Sequence, residues 1–368
     1  MRKILFVIHD LGSGGAEKVL VNLVNHMDRD QFDITVLSIF DKGVNRQFLA
    51  DHIHYRSCFP VMPRGNSRMM KLLSPEQLHK WLIRERYDIE VAYLEGPSTR
   101  LVSGCPDPTT RLFAWVHGKI GRHSITNSFR GMKEAVECYD RFRSVVCVSE
   151  DIRTSFQALI PTSAPVHVLY NTNDSEMILQ LAQEPLPDHT ISSESLNLIG
   201  MGKLAPVKGF DRLLRITRRL KEDGFPVHTT ILGDGPQRAE LQRYIEDNDL
   251  TETVTLAGYQ TNPYRYLAAC DLFVCSSLSE GFSTAATEAL IVGTPVCTVD
   301  VPGMKELLGN NEFGIITENS ENGLYLGIRS MLQTPSLLAH YRTQAKTRSI
   351  SFSTKRSVDT IQSFISSF

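Results

Sequence analysis

Two glutamates, Glu280 and Glu288, stand eight positions apart in the stretch SLSEGFSTAATEAL, residues 277–290. The stretch follows an apolar run of strand type, and its spacing predicts a helix that begins at Ser283 or Thr284. Free N–H groups at a helix start attract anions such as phosphate, and carboxylates accept hydrogen bonds from vicinal hydroxyls. The stretch therefore indicates a site for a polyol bound beside a phosphate. The alternative is a capped surface helix with solvated glutamates.

Two lysines lie in a second loop, GKLAPVKGFD at residues 202–211, which also follows a predicted strand. Lys203 and Lys208 are five positions apart, and glycines bound the loop. Two ammonium groups that converge on a diphosphate would stabilise the charge that develops when the diphosphate leaves. Asp211 is predicted to cap the following helix. Isolated lysines are more often solvated surface charges, and that alternative stays open.

Three further features are less specific. The loop GSGG at residues 12–15 has a GxG without the rest of a dinucleotide fingerprint, so it indicates only a close approach of backbone to a ligand. His117 follows an apolar strand and precedes a glycine, which predicts that it faces a cleft; a structural histidine is the alternative. Asp234, in GDGP, is predicted to cap a helix. No cluster of His, Cys and carboxylates has metal-ligand spacing, so no metal is expected.

The elements that must position these residues alternate regularly, since apolar runs of strand length are separated by helix-length segments, as in a parallel α/β sheet. The first series comprises residues 3–8, 34–39, 89–94, 111–116 and 144–148, and the second comprises 196–202, 227–233, 254–258, 272–275 and 294–299. Between the two series, residues 171–195 are rich in Asn, Asp, Pro and Ser, which predicts a domain boundary. The predicted fold class is α/β, with two doubly wound Rossmann-like domains facing across a cleft and ligands at the carboxyl ends of the strands.

Length and composition agree with this organisation. The 368 residues are 42% hydrophobic and 22% charged, which is typical of a soluble globular protein with more than one hydrophobic core. The net charge is −2, but residues 1–170 hold 22 basic and 18 acidic side chains, so the front half is the more basic one. Seven scattered cysteines without a CxxC pair, and no apolar run of membrane-spanning length, predict a cytoplasmic protein with reduced thiols.

Two groups of basic residues lie in the front half. Residues 60–73 mix Met and Leu with Arg64, Arg68 and Lys71. The second group is Arg111, Lys119, Arg122, Arg130, Lys133, Arg141 and Arg143. Either a solvated face or a surface for anionic lipid headgroups explains them, so a peripheral position on the cytoplasmic face of the cell membrane is one expectation. Aromatic residues do not interleave with these charges, so no nucleic-acid partner is expected.

The E-x7-E element of Glu280 and Glu288, in its setting SEGF…EAL…GTPV, resembles glycosyltransferase family 4, a family of retaining nucleotide-sugar enzymes with the GT-B fold. GGAE at 14–17, HG at 117–118, GK…KG at 202–209 and GDGP at 233–236 occur in that family's order. The resemblance spans nearly the whole chain. It implies an acceptor-side domain at 1–171, a nucleotide-sugar domain at 172–352, and a tail, 353–368, that packs back on the first domain as a helix.

By this resemblance, Lys203 and Lys208 would neutralise the donor diphosphate, Glu280 would bind hydroxyls of the donor sugar, and His117 would contact the sugar near the reacting carbon. The other donor-binding residues would be Gly14, Gly15, Gly202, Asp234, Gly258, Tyr259, Gln260, Gly281, Phe282, Ser283, Thr284 and, on the ribose hydroxyls, Glu288. Ser283 stands where the family often has Pro, and Lys203 stands where it often has Arg. Neither departure removes a charge.

The implied activity is transfer of a hexose or N-acetylhexosamine from a nucleotide sugar, with UDP as the expected nucleotide, to a saccharide hydroxyl. The acceptor would be lipid-linked, in capsule, exopolysaccharide or glycolipid synthesis, and no cofactor is implied. Eight residues of helix span about 12 Å, against about 5 to 5.5 Å for a retaining glycosidase pair, so Glu280 and Glu288 are not predicted to act as nucleophile and acid. A nucleotide-sugar epimerase and a non-catalytic nucleotide-sugar-binding protein are the alternatives.

Overall fold

A computed structural model describes residues 1–61, 70–186, 191 and 194–367. The chain forms two compact units. The first comprises Met1–Thr172 together with Lys355–Phe368, and the second comprises Asn173–Thr354. Residues 62–69, which include Arg64 and Arg68 of the predicted basic segment, lie outside the described part of the chain.

The first unit is built on a sheet in which all paired strands are parallel, in the order β3-β2-β1-β4-β5-β6-β7. The strands are β1 Arg2–Ile8, β2 Phe32–Phe40, β3 His54–Phe59, β4 Ile89–Ala92, β5 Arg111–Val116, β6 Ser144–Cys147 and β7 Val166–Val168. The central strands are buried along almost their whole length, which is why they read as continuous apolar runs.

Helices connect these strands, as parallel pairing requires. They are α1 Gly15–His26, α2 Pro75–Leu82, α3 Pro97–Val102, α4 Arg122–Ser128, α5 Met132–Asp140 and α6 Glu150–Leu159. Helix α2 begins with a capping box, because the hydroxyl of Ser74 accepts from the Gln77 N–H and the Gln77 side chain accepts from the Ser74 N–H.

The second unit has a parallel sheet in the order β10-β9-β8-β11-β12-β13. Its strands are β8 Leu196–Met201, β9 Val227–Leu232, β10 Val254–Gly258, β11 Leu272–Cys275, β12 Val296–Val299 and β13 Ile315–Thr317. Its helices are α7 Ser175–Leu181, α8 Phe210–Glu222, α9 Arg238–Asp247, α10 Tyr264–Ala269, α11 Thr284–Val292, α12 Met304–Leu308, α13 Glu321–Gln333 and α14 Pro335–Ser349.

The final helix, α15 Thr354–Ser367, returns to the first unit. Phe364 packs with ring centroids 5.9 Å from Phe113 and 5.1 Å from His167. The side chain of Gln362 accepts a hydrogen bond from the N–H of Asp28. Among the described residues, no helix is both long and apolar enough to cross a membrane.

The predicted class, two doubly wound parallel α/β sheets, is confirmed. Three strands of the described chain, β3, β7 and β13, were not predicted from the sequence. Strand β3 is largely exposed and carries a polar sequence, HYRSCF, and the other two are only three residues long, so none shows an apolar run. Both acidic cap predictions are wrong: Gly209 is the N-cap of α8, so Asp211 lies inside its first turn, and Gln237 is the N-cap of α9.

Candidate functional site

An ion pair lies where two neighbouring strands of the second sheet end. Lys208 closes the short 3-10 turn Pro206–Lys208 that follows β8, and Glu280 follows β11. Strands β8 and β11 pair in parallel, so their carboxyl ends lie at the same edge. The Lys208 Nζ is 2.7 Å from Oε1 of Glu280, and the hydroxyl of Ser277 donates to the same oxygen at 2.5 Å. Glu280 is thus held by two donors.

This edge is also the topological switch point of the second sheet. Successive strands run outward from β8 in one direction through β9 and β10, and in the other through β11, β12 and β13. Open α/β sheets bind ligands in the crevice outside the carboxyl ends of the strands at such a point. The predicted lysine loop and glutamate loop therefore meet where the topology favours a ligand.

Helix α11 begins beside this ion pair, at Thr284, which is one of the two predicted starts. Ser283 is its N-cap, and the Ser283 hydroxyl accepts a hydrogen bond from the Ala286 N–H at 3.3 Å. The first N–H groups of an α-helix have no partner within the helix, and they carry the positive end of its dipole. Phe282, just before the cap, is buried. The helix start is therefore suited to an anion such as phosphate.

Glu288 lies one turn inside α11 on its buried face, and the residue is only 3% exposed. The hydroxyl of Tyr264 is 3.5 Å from its Oε1. Glu280 is located before the helix and Glu288 within it.

Glycines allow the loops of the second unit to pack backbone against backbone. Gly209 has φ +62°, and a Cβ there would lie 2.2 Å from the carbonyl oxygen of Ser276. Gly233 has φ +136°, and its Cβ would lie 1.9 Å from the carbonyl oxygen of Gly202. Larger side chains at these two positions would push the lysine loop away from its neighbours.

Other predicted donor residues lie at the carboxyl ends of the neighbouring strands β9 and β10. Gly258 ends β10 and accepts a hydrogen bond from the Gly233 N–H at 2.8 Å. Tyr259 is 42% exposed, and the Gln260 side chain donates to the Ala257 carbonyl. Asp234 accepts from the N–H of Gly235 through its carboxylate. Lys203 is exposed, and no described carboxylate forms an ion pair with it, so its ammonium is available to a ligand.

In the first unit, His117 and Gly14 also lie at carboxyl strand ends. Gly14 is the N-cap of α1 after β1, and Gly15 is the first residue of that helix. His117 follows β5 and is half-buried, with its ring centroid 4.9 Å from that of Tyr93. Within the described part of the chain, the buried Nε2 of His117 has no hydrogen-bond partner.

A glutamate that the sequence analysis missed holds the backbone of His117. Glu95 follows β4, the neighbour of β5, and its Oε2 accepts a hydrogen bond from the His117 N–H at 2.9 Å. Burial raises the pKa of Glu95, although hydrogen bonds from the backbone of His117 and Gly118 act in the opposite direction. Burial lowers the pKa of His117 to about 3, so its imidazole is neutral at physiological pH.

Arg212, on α8, was also missed, although it is only 5% exposed. It donates to the carbonyl oxygens of Ser276 and Ser277 at 2.7 and 2.8 Å. Nothing local in the sequence distinguishes it from the exposed arginines of the same helix. The partners come from a loop more than 60 positions away, so only the fold reveals its position.

One group of side chains has ligand atoms close enough for a metal ion, among the residues described. It comprises the buried residues His79, Glu90 and Cys105, whose imidazole nitrogen, carboxylate oxygen and Sγ lie within 4.8 Å of one another. The sequence did not predict this group because its members are separated along the chain. The Nε2 of His79 is 2.9 Å from Oε2 of Glu90, so a buried histidine–glutamate ion pair already satisfies these two residues.

The second predicted basic group does not form one surface. Arg111 begins β5 and Arg143 directly precedes β6, whereas Lys119 and Arg122 come after β5. A six-residue strand is about 20 Å long, so the group is divided between opposite edges of the sheet. Arg130 instead lies against the first group, where its guanidinium donates to the carbonyl oxygens of Lys71 and Leu72.

Comparison with known proteins assigns both units to glycosyltransferase families. Residues 13–176 match the model of Glycosyltransferase Family 4, and residues 184–348 match that of Glycosyl transferases group 1. The two Rossmann-like units, each matched by a glycosyltransferase model, define the class of the protein as a glycosyltransferase. Together the two matches cover most of the chain, which therefore belongs to the glycosyltransferases, with a Family 4 domain followed by a group 1 domain, as the resemblance implied.

Among curated relatives, the chain is 29% identical over 372 residues to the N-acetylgalactosamine-N,N'-diacetylbacillosaminyl-diphospho-undecaprenol 4-alpha-N-acetylgalactosaminyltransferase of Campylobacter jejuni, covering 96% of each chain. It is 23% identical to the lipopolysaccharide core biosynthesis glycosyltransferase LpsD of Rhizobium meliloti, over 90% of this chain and 88% of that one.

Among solved structures, Anabaena HepE in complex with UDP-glucose has a TM-score of 0.79 at 21% identity, over the full length of both chains. WaaG, a glycosyltransferase involved in lipopolysaccharide biosynthesis, has a TM-score of 0.76 at 14% identity, over 98% of this chain and 99% of that one. These similarities confirm the GT-B fold.

Proposed function

We propose that this protein is a retaining glycosyltransferase that moves a hexose or N-acetylhexosamine from a UDP-sugar to a hydroxyl of a lipid-linked saccharide. The observation that carries the proposal is the Lys208–Glu280 ion pair beside the start of α11. The pair places a cation and a carboxylate at the carboxyl ends of β8 and β11, beside the N-terminus of a helix. These are the groups required by a diphosphate bonded to a sugar.

Each group has a distinct role in donor binding. The Lys208 ammonium has three N–H donors, and one of them is directed at Glu280, which leaves two for phosphate oxygens. Exposed Lys203 and the first N–H groups of α11 add positive charge. Glu280 binds hydroxyls of the sugar and buried Glu288 those of the ribose. In the first unit, the free Nε2 of His117 binds the sugar near its reacting carbon.

In the proposed reaction, the bond between the anomeric carbon and the diphosphate oxygen breaks, and the electron pair leaves with the diphosphate. The acceptor hydroxyl oxygen bonds to the same face of the carbon, and its proton passes to the departing phosphate oxygen. Lys203 and Lys208 stabilise the charge that develops there. Since these cations and the helix start can neutralise the diphosphate, no metal ion is required.

UDP is the proposed nucleotide because three complexes of HepE contain UDP, UDP with glucose, or UDP-glucose. A lipid-linked acceptor is proposed because the name of the Campylobacter jejuni relative specifies a diphospho-undecaprenol acceptor and an alpha linkage. Synthesis of a surface polysaccharide or glycolipid fits the names of LpsD and WaaG.

The test is transfer from a panel of UDP-sugars to undecaprenyl-diphosphate saccharides, with and without EDTA. The anomeric configuration of the product is read by proton NMR. We expect an α-linked product from an α-linked donor at an unchanged rate in EDTA. A product of inverted configuration would overturn retention, and loss of transfer in EDTA that Mg²⁺ restores would overturn metal independence. Conversion of the UDP-sugar without acceptor would identify an epimerase, and donor binding without turnover would identify a binding protein.

Contact with an anionic membrane is proposed at the Leu72 surface, which comprises Lys71, Leu72 and Arg130. Leu72 is 79% exposed, and the Arg130 guanidinium donates to the carbonyl oxygens of Lys71 and Leu72. A lipid-linked acceptor has to be met at a membrane. The proposed position is peripheral, on the cytoplasmic face of the cell membrane. We expect the protein to float with vesicles containing anionic lipid and not with neutral ones, and Leu72→Ser to weaken flotation. Equal recovery with both kinds of vesicle would contradict the proposal.

A further inference from the structure

Arg212 is a buried cation that the proposed reaction does not use. It lies on α8, one turn after Lys208, and its guanidinium makes three contacts with other parts of the second unit. Nε donates to the carbonyl oxygen of Ser276 at 2.7 Å, Nη2 to that of Ser277 at 2.8 Å, and Nη1 to Oδ1 of Asn319 at 3.0 Å. Burial lowers the pKa of this guanidinium, but arginine stays charged at neutral pH.

These contacts hold consecutive carbonyl groups of the segment that leads to Glu280. Arg212 binds the carbonyls of Ser276 and Ser277. The next carbonyl, that of Leu278, lies 3.4 Å from the side-chain nitrogen of Asn319, which accepts from Arg212 through its oxygen. One guanidinium thus fixes, directly or through one amide, three successive peptide groups just before Glu280.

The same segment is also bonded to the lysine loop. The hydroxyl of Ser276 donates to the carbonyl oxygen of Lys208 at 2.9 Å, and the N–H of Leu278 donates to that of Val207 at 2.7 Å. The peptide groups of residues 276–278 therefore connect both partners of the Lys208–Glu280 ion pair. A change in their orientation would alter the distance between Lys208 and Glu280.

Arginine is suited to this position and lysine is not. The guanidinium is planar and presents several N–H donors in a fixed fork, whereas an ammonium is a compact charge on a flexible stem. A lysine at 212 would keep the buried positive charge and could reach some of the oxygens, but it could not hold three of them in one plane. The substitution Arg212→Lys therefore tests the geometry of the side chain separately from its charge.

We propose that Arg212 is a positioning residue for the donor site: by holding the carbonyls of Ser276 and Ser277 and the amide of Asn319, it keeps Glu280 in the conformation that meets Lys208. This inference rests on the proposed function, because it assigns Arg212 to the site that binds the donor diphosphate and sugar. Arg212 itself contacts neither substrate.

The test compares Arg212→Lys with Arg215→Lys in the full-length protein. Arg215 is on the same helix, is partly exposed, and pairs with Asp211 and Glu321, so it is a matched control that leaves the segment untouched. In ligand-free protein, we expect amide hydrogen exchange in residues 276–282 to become at least about tenfold faster in Arg212→Lys. Exchange in Arg215→Lys should match the wild type.

Kinetics supply the second readout. With the UDP-sugar that the protein uses, Arg212→Lys should lower kcat by about 10- to 100-fold, because misplacement of a site by about 1 Å costs this much. The KM for acceptor should not change. A purely structural role would lower the melting temperature but leave exchange in 276–282 and kcat equal to those of the control, and that result would overturn the proposal.

Asn319→Ala keeps the test decisive if Arg212→Lys does not fold. It removes one bond of the guanidinium and the contact with Leu278, so exchange in the same segment should rise by a smaller factor. Unchanged exchange would overturn the proposal. If the wild-type protein transfers no sugar, the proposed function fails, but the exchange measurements still decide whether Arg212 holds this segment.

Discussion

The ammonium of Lys208 lies 2.7 Å from the carboxylate of Glu280, although the two residues are 72 positions apart in the chain. The Lys208 side chain is 26% exposed and that of Glu280 is 10% exposed. The pair therefore combines a largely buried carboxylate with a cation that can still reach a ligand. A diphosphate that binds here meets a lysine whose position is already defined by Glu280.

Lys208→Ala should lower kcat by about 10²- to 10³-fold, the usual cost of removing one preorganised group that stabilises developing charge. The affinity for UDP should fall less, because Lys203 and the start of α11 remain. Steady-state kinetics and calorimetry with UDP measure the two effects. Lys221→Ala is the control, since Lys221 is exposed and donates to the carbonyl of Asp249, away from the ion pair. A normal transfer rate in Lys208→Ala with donor binding intact would refute the assignment.

Glu288→Gln should weaken UDP binding by about tenfold to 100-fold, because hydrogen bonds to a charged group contribute about 1.5 to 3 kcal/mol. Calorimetry checks this. Tyr264→Phe, which leaves the carboxylate in place, should change affinity by no more than a few-fold. A UDP analogue without ribose 2′ and 3′ hydroxyls separates a ribose contact from a structural effect: wild type and Glu288→Gln should bind it equally, and a persisting difference would exclude the ribose role.

His117 should remain a neutral imidazole throughout the physiological range, because burial lowers its pKa to about 3. The folded protein then binds fewer protons at this residue than the unfolded chain does. Between pH 6.5 and about pH 3, this difference lowers stability as the pH falls. Selective ¹⁵N-histidine NMR measures the titration, and His117→Gln assigns the signal. A midpoint near 6.5, the ordinary pKa of histidine, would show that the prediction is wrong.

The buried pair of His79 and Glu90 should make stability depend on alkaline pH. Burial alone would lower the pKa of His79. Its hydrogen bonds with Cys105 and Glu90 and the charge of Glu90 outweigh burial and raise this pKa to about 9, from an ordinary value of 6.5. The pair's contribution is therefore complete below pH 6.5 and is lost as pH rises through about 9.

Urea unfolding of wild type and His79→Leu at several pH values tests this. Because the variant leaves the buried carboxylate of Glu90 uncompensated, it should be less stable by about 3 to 5 kcal/mol at pH 6.5. The difference should shrink as the pH approaches 9.5, and His79→Leu combined with Glu90→Leu should recover part of the loss. A difference that does not change with pH would contradict a charged histidine.

Much of the local structure around the site can be predicted from the sequence, because it depends on neighbouring residues. The spacing predicted a helix that begins at Ser283 or Thr284, and the start at Thr284 confirms this prediction. The buried strands are equally visible, because strands covered on both faces must be apolar throughout. Strand β3 was not predicted, because an exposed strand at the edge of a sheet can have a polar sequence. The two acidic cap predictions were wrong because glycine and glutamine occupy the N-caps of α8 and α9.

Sequence by itself determined the α/β class, the family and the two loops that hold the lysines and glutamates, because strand periodicity, glycine turns and helix starts are encoded within a few neighbouring residues. Only the tertiary structure decided that Lys208 pairs with Glu280, that Glu95 holds His117, and that Arg212 is buried on three oxygens. The physical reason is the order of the strands. Parallel pairing of β8 with β11 and of β4 with β5 brings distant loops to one edge, and no local pattern records which strands become neighbours.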